Sequence, residues 1–364
     1  MERAPASTAT GTPLLALSPA GLYCAAGDFH VDPWRPVARA LITHAHADHA
    51  RPGHAAYLAA RPSLEVLRAR LGGVELSTLA YGERLRVGDA TVSFHPAGHV
   101  LGSAQVRVER DGEVWVVSGD YRVEADATCA PFEPVRCHTF VTESTFGLPI
   151  YRWAPQADVV ARIRRWWECN AADGRASVLY CYSLGKAQRV IGALGEGPGP
   201  IVCHGAVETI NRAYRAGGVA LPPTLSADAL DGPAASRSAL VIAPPSAARS
   251  PWLRRFGDAD EAFASGWMQL RGVRRRRGLA NGFALSDHAD WPGLQRAIDA
   301  SGAPRVLVTH GYVAPMVRWL RERGLDAAAL DTEFGGEDGD DAARERASTD
   351  APSEAANGGR GGPR

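Results

Sequence analysis

The sequence predicts a layered α/β protein, and three features carry that prediction. Short apolar runs with strand character alternate with stretches of helical spacing along most of the chain. The stretch "QVRVERDGEVWVVSGD" reads as two strands joined by the tight turn Asp111-Gly112. Polar residues of ligand type also stand behind apolar runs: His44 after "ALIT", Asp120 after "VWVVSG", Glu143 after "TFVT" and His310 after "VLVT". Open α/β sheets place their sites at the carboxyl ends of strands, so these junctions mark one functional region.

Taken in order, residues 1–12 are small and polar and are expected to be loose. "ARALIT" (38–43) is a short strand that feeds into a histidine-rich loop. "TVSFH" (91–95) alternates as a half-buried strand does. The hairpin at 105–120 follows, then a strand at "TFVTE" (139–143). A second series, "SVLYCYS", "PIVCHG" and "ALVIAPP", lies between residues 150 and 250. "DWPGLQRAI" opens a helix, with Asp290 or Trp291 near the cap and Pro292 in the first turn. "RVLVTH" is a further strand, and "APMVRWLRERG" a helix that stops at Gly324. Residues 335–364 are charged and hold too few large apolar side chains to order themselves, so a disordered tail is expected.

The chain's 364 residues suffice for two domains with cores of their own. Its formal net charge of zero excludes a global field that would draw it onto a polyanion, so any such grip must be local. Lys186 is the only lysine; phosphate contacts would therefore be mostly forked guanidinium contacts. No stretch approaches the ~20 apolar residues of a membrane span, and no basic start followed by a long apolar run marks a secretory signal. The irregularly spaced cysteines, Cys24, Cys129, Cys137, Cys169, Cys181 and Cys203, contain no Cys-x-x-Cys pair. Buried reduced thiols and a cytoplasmic location are expected.

The chemistry concentrates in "LITHAHADHA", where His44-x-His46-x-Asp48-His49 puts imidazoles and a carboxylate on one tight loop. Neutral imidazole and carboxylate are good ligands for zinc and its first-row neighbours. So many side chains on one short loop do not easily reach one ion, and the alternating positions serve two more naturally. A solvated polar loop is the bland alternative. His99 in "PAGHVLGSA" and Asp120 in "VVSGDY" supply further ligand types in loops behind strands.

This set resembles the metallo-β-lactamase superfamily, in which two β-sheets are sandwiched by helices, a four-layer αββα fold. The resemblance implies that His44, His46 and His99 hold one metal, that Asp48 and His49 hold the second, and that Asp120 bridges them. Three further stretches, "VTESTFG" with Glu143, "FALSDHADW" with His288 and "VLVTHG" with His310, resemble the extra motifs of the β-CASP nucleases. In that family an α/β domain is inserted within the metallo-β-lactamase domain. The implied division is 13–150 for the first part of that domain, 151–285 for the insertion and 286–334 for the return. His310 would complete the second metal site, and Glu143 with His288 would form a hydrogen-bonded pair beside the leaving group. The implied catalytic residues are thus Asp48, Glu143 and His288, and the implied cofactors two divalent ions, Zn²⁺ or alternatively Mn²⁺.

"GLYCAAGDFHVDPWRP", "YSLGKAQR" and "GWMQLRGVRRRRG" further resemble bacterial ligase-associated DNA exonucleases. That implies a DNA exonuclease in repair, with an ATP-dependent DNA ligase and a helicase as partners. A histidine at the position of His310 is instead typical of the RNA-acting members among eukaryotic relatives, so a ribonuclease is the alternative. A small-molecule metallohydrolase such as a lactonase has no need of the insertion or the arginine run. In such a nuclease two ions would activate a hydroxide for attack on phosphorus. His288, oriented by Glu143, would protonate the leaving sugar oxygen.

Substrate contacts are expected from Ser183 and Lys186, with Gln188 and Arg189, at a helix start where a terminal phosphate could bind. An ordinary capped β–α turn is the other reading. Arg271 and Arg274, Arg275, Arg276 and Arg277 form either a phosphate-tracking stripe or a solvated face. Asp32 is either a partner of a ligand histidine or a turn aspartate before Pro33. His30, His54, His95, His138 and His204 match no ligand position. Trp34, Trp166, Trp167 and Trp267 are stacking candidates for which core packing is the default.

Overall fold

The computed structural model describes residues 13–270 and 281–334. They form a mixed α/β protein with three sheets. The first sheet holds β1 (Ala16–Ser18), β2 (Gly21–Cys24), β3 (Phe29–Val31), β4 (Arg39–Ile42), β5 (Ala56–Ala60) and β6 (Leu76–Leu79), in that spatial order. From β3 onward its strands pair in parallel. The second contains β7 (Leu85–Val87), β8 (Ala90–Pro96), β9 (Ala104–Arg110), β10 (Glu113–Val117), β11 (Thr139–Ser144), β17 (Arg305–Gly311) and β18 (Asp326–Ala329), in the order β18-β17-β11-β10-β9-β8-β7. Its β10, β11, β17 and β18 are parallel neighbours.

The apolar runs of the second sheet are continuous because both of its faces are buried. Along β10, Trp115 and Val117 face a core shared with Leu22, Phe29, Val31 and Leu41 of the first sheet. Val114 and Val116 face the opposite way, onto α6 (Trp291–Ser301) and α7 (Val313–Glu322). Phe140 and Val141 of β11 divide between the same two cores. The hairpin turn forms as expected, with Asp111 and Gly112 at φ 49° and 83° and Arg110 paired with Glu113. "TVSFH" differs from expectation. Val92, Ser93 and Phe94 of β8 are all buried, because β7 and β9 flank it and the first sheet covers one face.

The third sheet is all parallel: β12 (Ser177–Tyr180), β13 (Ile201–Cys203), β14 (Leu240–Ala243), β15 (Asp260–Ala264) and β16 (Asn281–Phe283), in the order β13-β14-β12-β15-β16. Leu179, Leu240 and Ile242 point into one core with α2 (Gln156–Ala172) and α3 (Lys186–Leu194), and Val178, Tyr180 and Val241 into another. Helix α4 (Gly205–Ala216) leaves this unit. Its Ile210, Ala213 and Tyr214 pack with Val66 and Leu67 of α1 (Leu64–Leu71) on Ala40, Ile42, Tyr57 and Ala59 of the first sheet. Among the described residues no helix is long and apolar enough to cross a membrane. No two of the six cysteines form a disulfide; Cys24, Cys181 and Cys203 are buried, whereas Cys169 is exposed.

Candidate metal centre

The functional side chains stand at the carboxyl ends of strands in two sheets. The loop His44–His49 follows β4, Asp120 follows β10, Glu143 lies near the end of β11 and His310 near the end of β17. The register of β11 against β17 shifts between Thr142 and Ser144, which re-aims Glu143 relative to His310. His99 lies in the β8–β9 loop, where the Ser103 hydroxyl accepts from the amides of His99 and Val100 at 3.0 and 3.2 Å.

Four overlapping groups of ligand-type atoms result among the described residues, and two of them are built round Asp120 and the histidines of the loop. His44, His46, His99 and Asp120 form one, and His49, Asp120 and His310 the other; the remaining two bring His288 together with His99 and Asp287, and with Asp120 and Glu143. In the first, His46 Nδ1 lies 3.1 Å from His44 Nε2 and 3.0 Å from His99 Nε2. Asp120 Oδ2 stands 3.4 Å from His44 Nε2 and 3.6 Å from His49 Nε2, and Oδ1 stands 3.0 Å from His310 Nε2. Asp48 is at the edge, its Oδ2 lying 3.8 Å from His49 Nε2.

The partners on the far side of each ring decide what these short separations mean. His99 Nδ1 meets the Asp287 carbonyl at 2.9 Å, and His46 Nε2 meets the Leu184 carbonyl at 3.3 Å. A carbonyl only accepts, so each of those nitrogens carries the hydrogen. Thr43 Oγ1 donates to Asp32 at 2.5 Å and thus accepts from His44 Nδ1 at 3.0 Å. Thr309 Oγ1 donates to the Thr142 carbonyl at 3.3 Å and accepts from His310 Nδ1 at 3.0 Å. His49 Nδ1 donates to Asp32 Oδ2 at 2.7 Å. The other nitrogen of each neutral ring therefore turns a lone pair inward, toward the others. Lone pairs converging at about 3 Å repel unless a cation sits between them. Nitrogen ligands about 2.0–2.1 Å from a tetrahedral ion stand roughly 3.3 Å apart, close to what is found here. These buried His/Asp groups fit metal ions.

Electrostatics agrees. Burial, and then the neighbouring histidines, hold His44 and His99 well below the usual imidazole range, so both stay neutral ligands. Burial would also lower His49, but the carboxylates of Asp48, Asp120 and Asp32 outweigh it and push it up to about 10, so without an ion that ring holds a second proton, which a metal would displace. Burial would raise Asp120, yet the imidazoles of His49 and His310 keep it well below the carboxylate range.

Beside this centre His288 Nδ1 lies 2.9 and 3.1 Å from the two carboxylate oxygens of Glu143, both side chains being buried. The Tyr121 amide donates to Glu143 Oε1 at 2.8 Å. Ligand atoms of Asp120, Glu143 and His288 lie within 4.8 Å of one another.

The chain matches no model of a known protein family. Among curated proteins it is 33% identical over 314 residues to a probable DNA ligase of Opitutus terrae, covering 85% of this chain and 30% of that protein. It is 28% identical over 191 residues to Ribonuclease TTHA0252 of Thermus thermophilus, covering 45% of this chain and 44% of the relative. Endoribonuclease YSH1 of Saccharomyces cerevisiae is 27% identical over 124 residues, 34% of this chain and 16% of that protein. The chain belongs to the metallo-β-lactamase superfamily, in its β-CASP branch. This β-CASP chain spans less than half the length of each of these relatives. It also superposes on a protein of unknown function from Enterococcus faecalis V583 with a TM-score of 0.57 at 13% identity, covering 82% of this chain and 80% of that one. At that identity the likeness speaks for the fold alone.

Other expected site residues of this β-CASP protein fall differently. Lys186 is fully buried and its ammonium sits 3.1 Å from Asp287 Oδ1 and 4.6 Å from the centre of the Tyr182 ring. Its charge is thus spent on a carboxylate behind the metal loop and does not face an open phosphate site. Ser183 is buried, its carbonyl accepting from Gln188 Nε2, while Gln188 Oε1 accepts from the Gly185 amide and closes the start of α3. Arg189 donates to the His99 carbonyl at 3.0 Å. Arg271 and Arg274–Arg277 lie outside the described residues, as do residues 1–12 and the tail 335–364.

Asp32 is no mere turn residue, since its carboxylate serves His49 directly and His44 through Thr43. His95 contacts Ser93 and Glu133, and His138 and His204 accept from backbone amides. His30 contacts Ser18, and His54 is buried beside Tyr57. Trp34, Trp166 and Trp167 each donate an indole hydrogen within the fold. Trp267 packs on Phe146. Sequence reading missed Asp287, although it directly precedes His288 in "LSDHAD", and Thr43 and Thr309, which directly precede His44 and His310.

Proposed function

We propose that this chain is a metal-dependent phosphodiesterase acting on nucleic acid, and a DNA exonuclease of end repair. The observation that carries the reading is the Glu143–His288 pair set beside Asp120. Breaking a phosphodiester expels a sugar oxygen, a poor leaving group that needs a proton. With Nδ1 on the Glu143 carboxylate, His288 presents Nε2 as the atom that carries it. Glu143, tethered by the Tyr121 amide, orients the ring and stabilises the imidazolium charge.

Two divalent ions, zinc first and manganese second, are the proposed cofactors. His44, His46, His99 and Asp120 would hold one, and Asp48, His49, Asp120 and His310 the other. When bound, such ions lower the pKa of water and neutralise phosphate charge. Asp32, Thr43, Thr309 and the carbonyls of Leu184 and Asp287 hold the ligand rings in the productive tautomer.

Residues 13–150 and 286–334 are read as a metallo-β-lactamase domain, a four-layer αββα sandwich, and 151–285 as an inserted β-CASP domain. The shared core of the first two sheets and the helices on their outer faces support that reading. Arg274–Arg277, on sequence grounds, would track the phosphate backbone. The relative named a DNA ligase supports a DNA substrate and a ligase partner. A helicase partner and a cytoplasmic location are proposed from the sequence resemblance alone. RNA is the second reading, favoured by His310 and by the two relatives named ribonucleases.

End-labelled single- and double-stranded DNA and RNA, each with a 5′-phosphate or a 5′-hydroxyl, test this with Mn²⁺, Zn²⁺ or chelator. Mononucleotide release from DNA is expected, and release from RNA alone would move the assignment to the second reading. Failure to cut any strand, together with hydrolysis of a lactone or thioester, overturns it.

A further inference from the structure

Past β18 the described chain turns back toward the metal loop. The Leu330 amide donates to the Val308 carbonyl at 2.8 Å, and four residues on, Phe334 lies against the ligand histidines. Its ring stacks on His49 at 4.3 Å between centroids and 16° between planes. It meets His310 edge-on at 5.6 Å and 82°, and Trp34 at 6.0 Å and 79°. His44 also lies against His49, at 4.2 Å and 44°. His49 is therefore held by the Asp32 hydrogen bond and packed by two rings.

The segment is fastened twice at Glu333, the residue before Phe334. The Glu333 carboxylate takes both arms of Arg35 at 2.7 and 2.8 Å, a forked pair with fixed geometry. The Glu333 carbonyl accepts from Arg51 Nη2 at 2.7 Å, and Arg51 Nε donates to the Asp48 carbonyl at 3.2 Å. One guanidinium thus ties the returning segment to the peptide of the ligand loop.

We propose that Phe334 is a positioning residue for one half of the metal centre, the half made by His49 and His310. This rests on the two-ion reading above. Among the described residues, the ligand rings that Phe334 touches are those two, and His44, His46 and His99 are not among them. A stacked phenyl ring excludes water from one face of His49 and keeps its Nε2 directed to the side where Asp120 lies, 3.6 Å away. The segment 330–334 is then a working part of the site, and it secures one ion and not the other.

The full-length protein, loaded with Zn²⁺ and dialysed against graded chelator, tests this by metal content. Phe334→Ala should release one ion per chain at roughly ten-fold lower chelator concentration, the size of effect typical of groups that orient metal ligands. The other ion should leave as in wild type, Phe334→Tyr should hold both, and the Co²⁺ spectrum should change for one site only. Two ions leaving Phe334→Ala at wild-type chelator concentrations, or both loosening together, would overturn the inference while leaving the two-ion reading intact. A wild-type chain that holds a single ion overturns both.

Discussion

A histidine by itself names no role; the atom on the far side of its ring does. In each of five rings one nitrogen is occupied by Asp32, Thr43, Thr309 or a backbone carbonyl, and the other nitrogen is left facing the centre. His288 is set apart because its Nδ1 is committed to a carboxylate outside the two ligand groups. His288→Ala should keep its metal and lose about a hundred-fold or more in kcat. On a substrate with a nitrophenolate leaving group, which needs no proton, the loss should nearly vanish. Equal losses on both substrates would rule out proton delivery.

The same rings set a pH profile for the metal-stripped protein. Unfolded imidazoles titrate near 6.5. With His49 raised to about 10, the native state binds the extra proton between those values. Its contribution is therefore full below about 6.5 and lost as pH rises toward 10. His44 and His99 are lowered, so there the unfolded state takes the extra proton and native stability falls as pH drops below about 6.5. Urea midpoints should peak near neutrality, and excess Zn²⁺ should flatten the alkaline limb. A midpoint constant from pH 7 to 10 without metal would contradict the assignment of His49.

At the scale of elements, the strands that carry ligands were legible because their apolar runs are buried on both faces. β4, β10, β11 and β17 were readable for that reason, as were the Asp111-Gly112 turn and the Asp290 cap of α6, whose carboxylate accepts from Gly293 at 2.8 Å. Short strands such as β1, β3 and β16 were not, since three residues carry no periodicity. Tight turns between elements matter as much as the strands. Gly119 sits at φ 56°, and a Cβ there would fall 2.6 Å from Thr43 Cβ and Oγ1. Thr43 orients His44, so Gly119→Ala should disturb the metal as well as the turn. A left-handed alanine and the overpacking together should cost about 2–4 kcal/mol by urea denaturation. Metal affinity should fall in parallel, and a variant with wild-type stability and metal content would refute the link.

At the scale of the whole molecule, the third sheet is built into the metal centre. The loop after β12 supplies the Leu184 carbonyl to His46, and Lys186, at the start of α3, neutralises Asp287, whose carbonyl holds His99. The carboxylate of Asp287 is held well below its usual range; burial would raise it, but Lys186 prevails. Lys186→Met should leave a buried charge unpaired and cost about 3–5 kcal/mol. Adding Asp287→Asn should recover much of that, because the two charges then disappear together. A double variant as unstable as the single one would show that the pair matters for packing and not for charge.

The sequence by itself determined the α/β class, the strand ends that carry polar side chains, and the residue types able to hold metal. These follow from periodicity and from local chemistry, both of which are written within a few neighbouring residues. Only the tertiary structure decided that Lys186 faces Asp287, that Asp32 serves two histidines, and that Phe334 stacks on His49. Those contacts join residues far apart in the chain, and their geometry exists only once three sheets have packed.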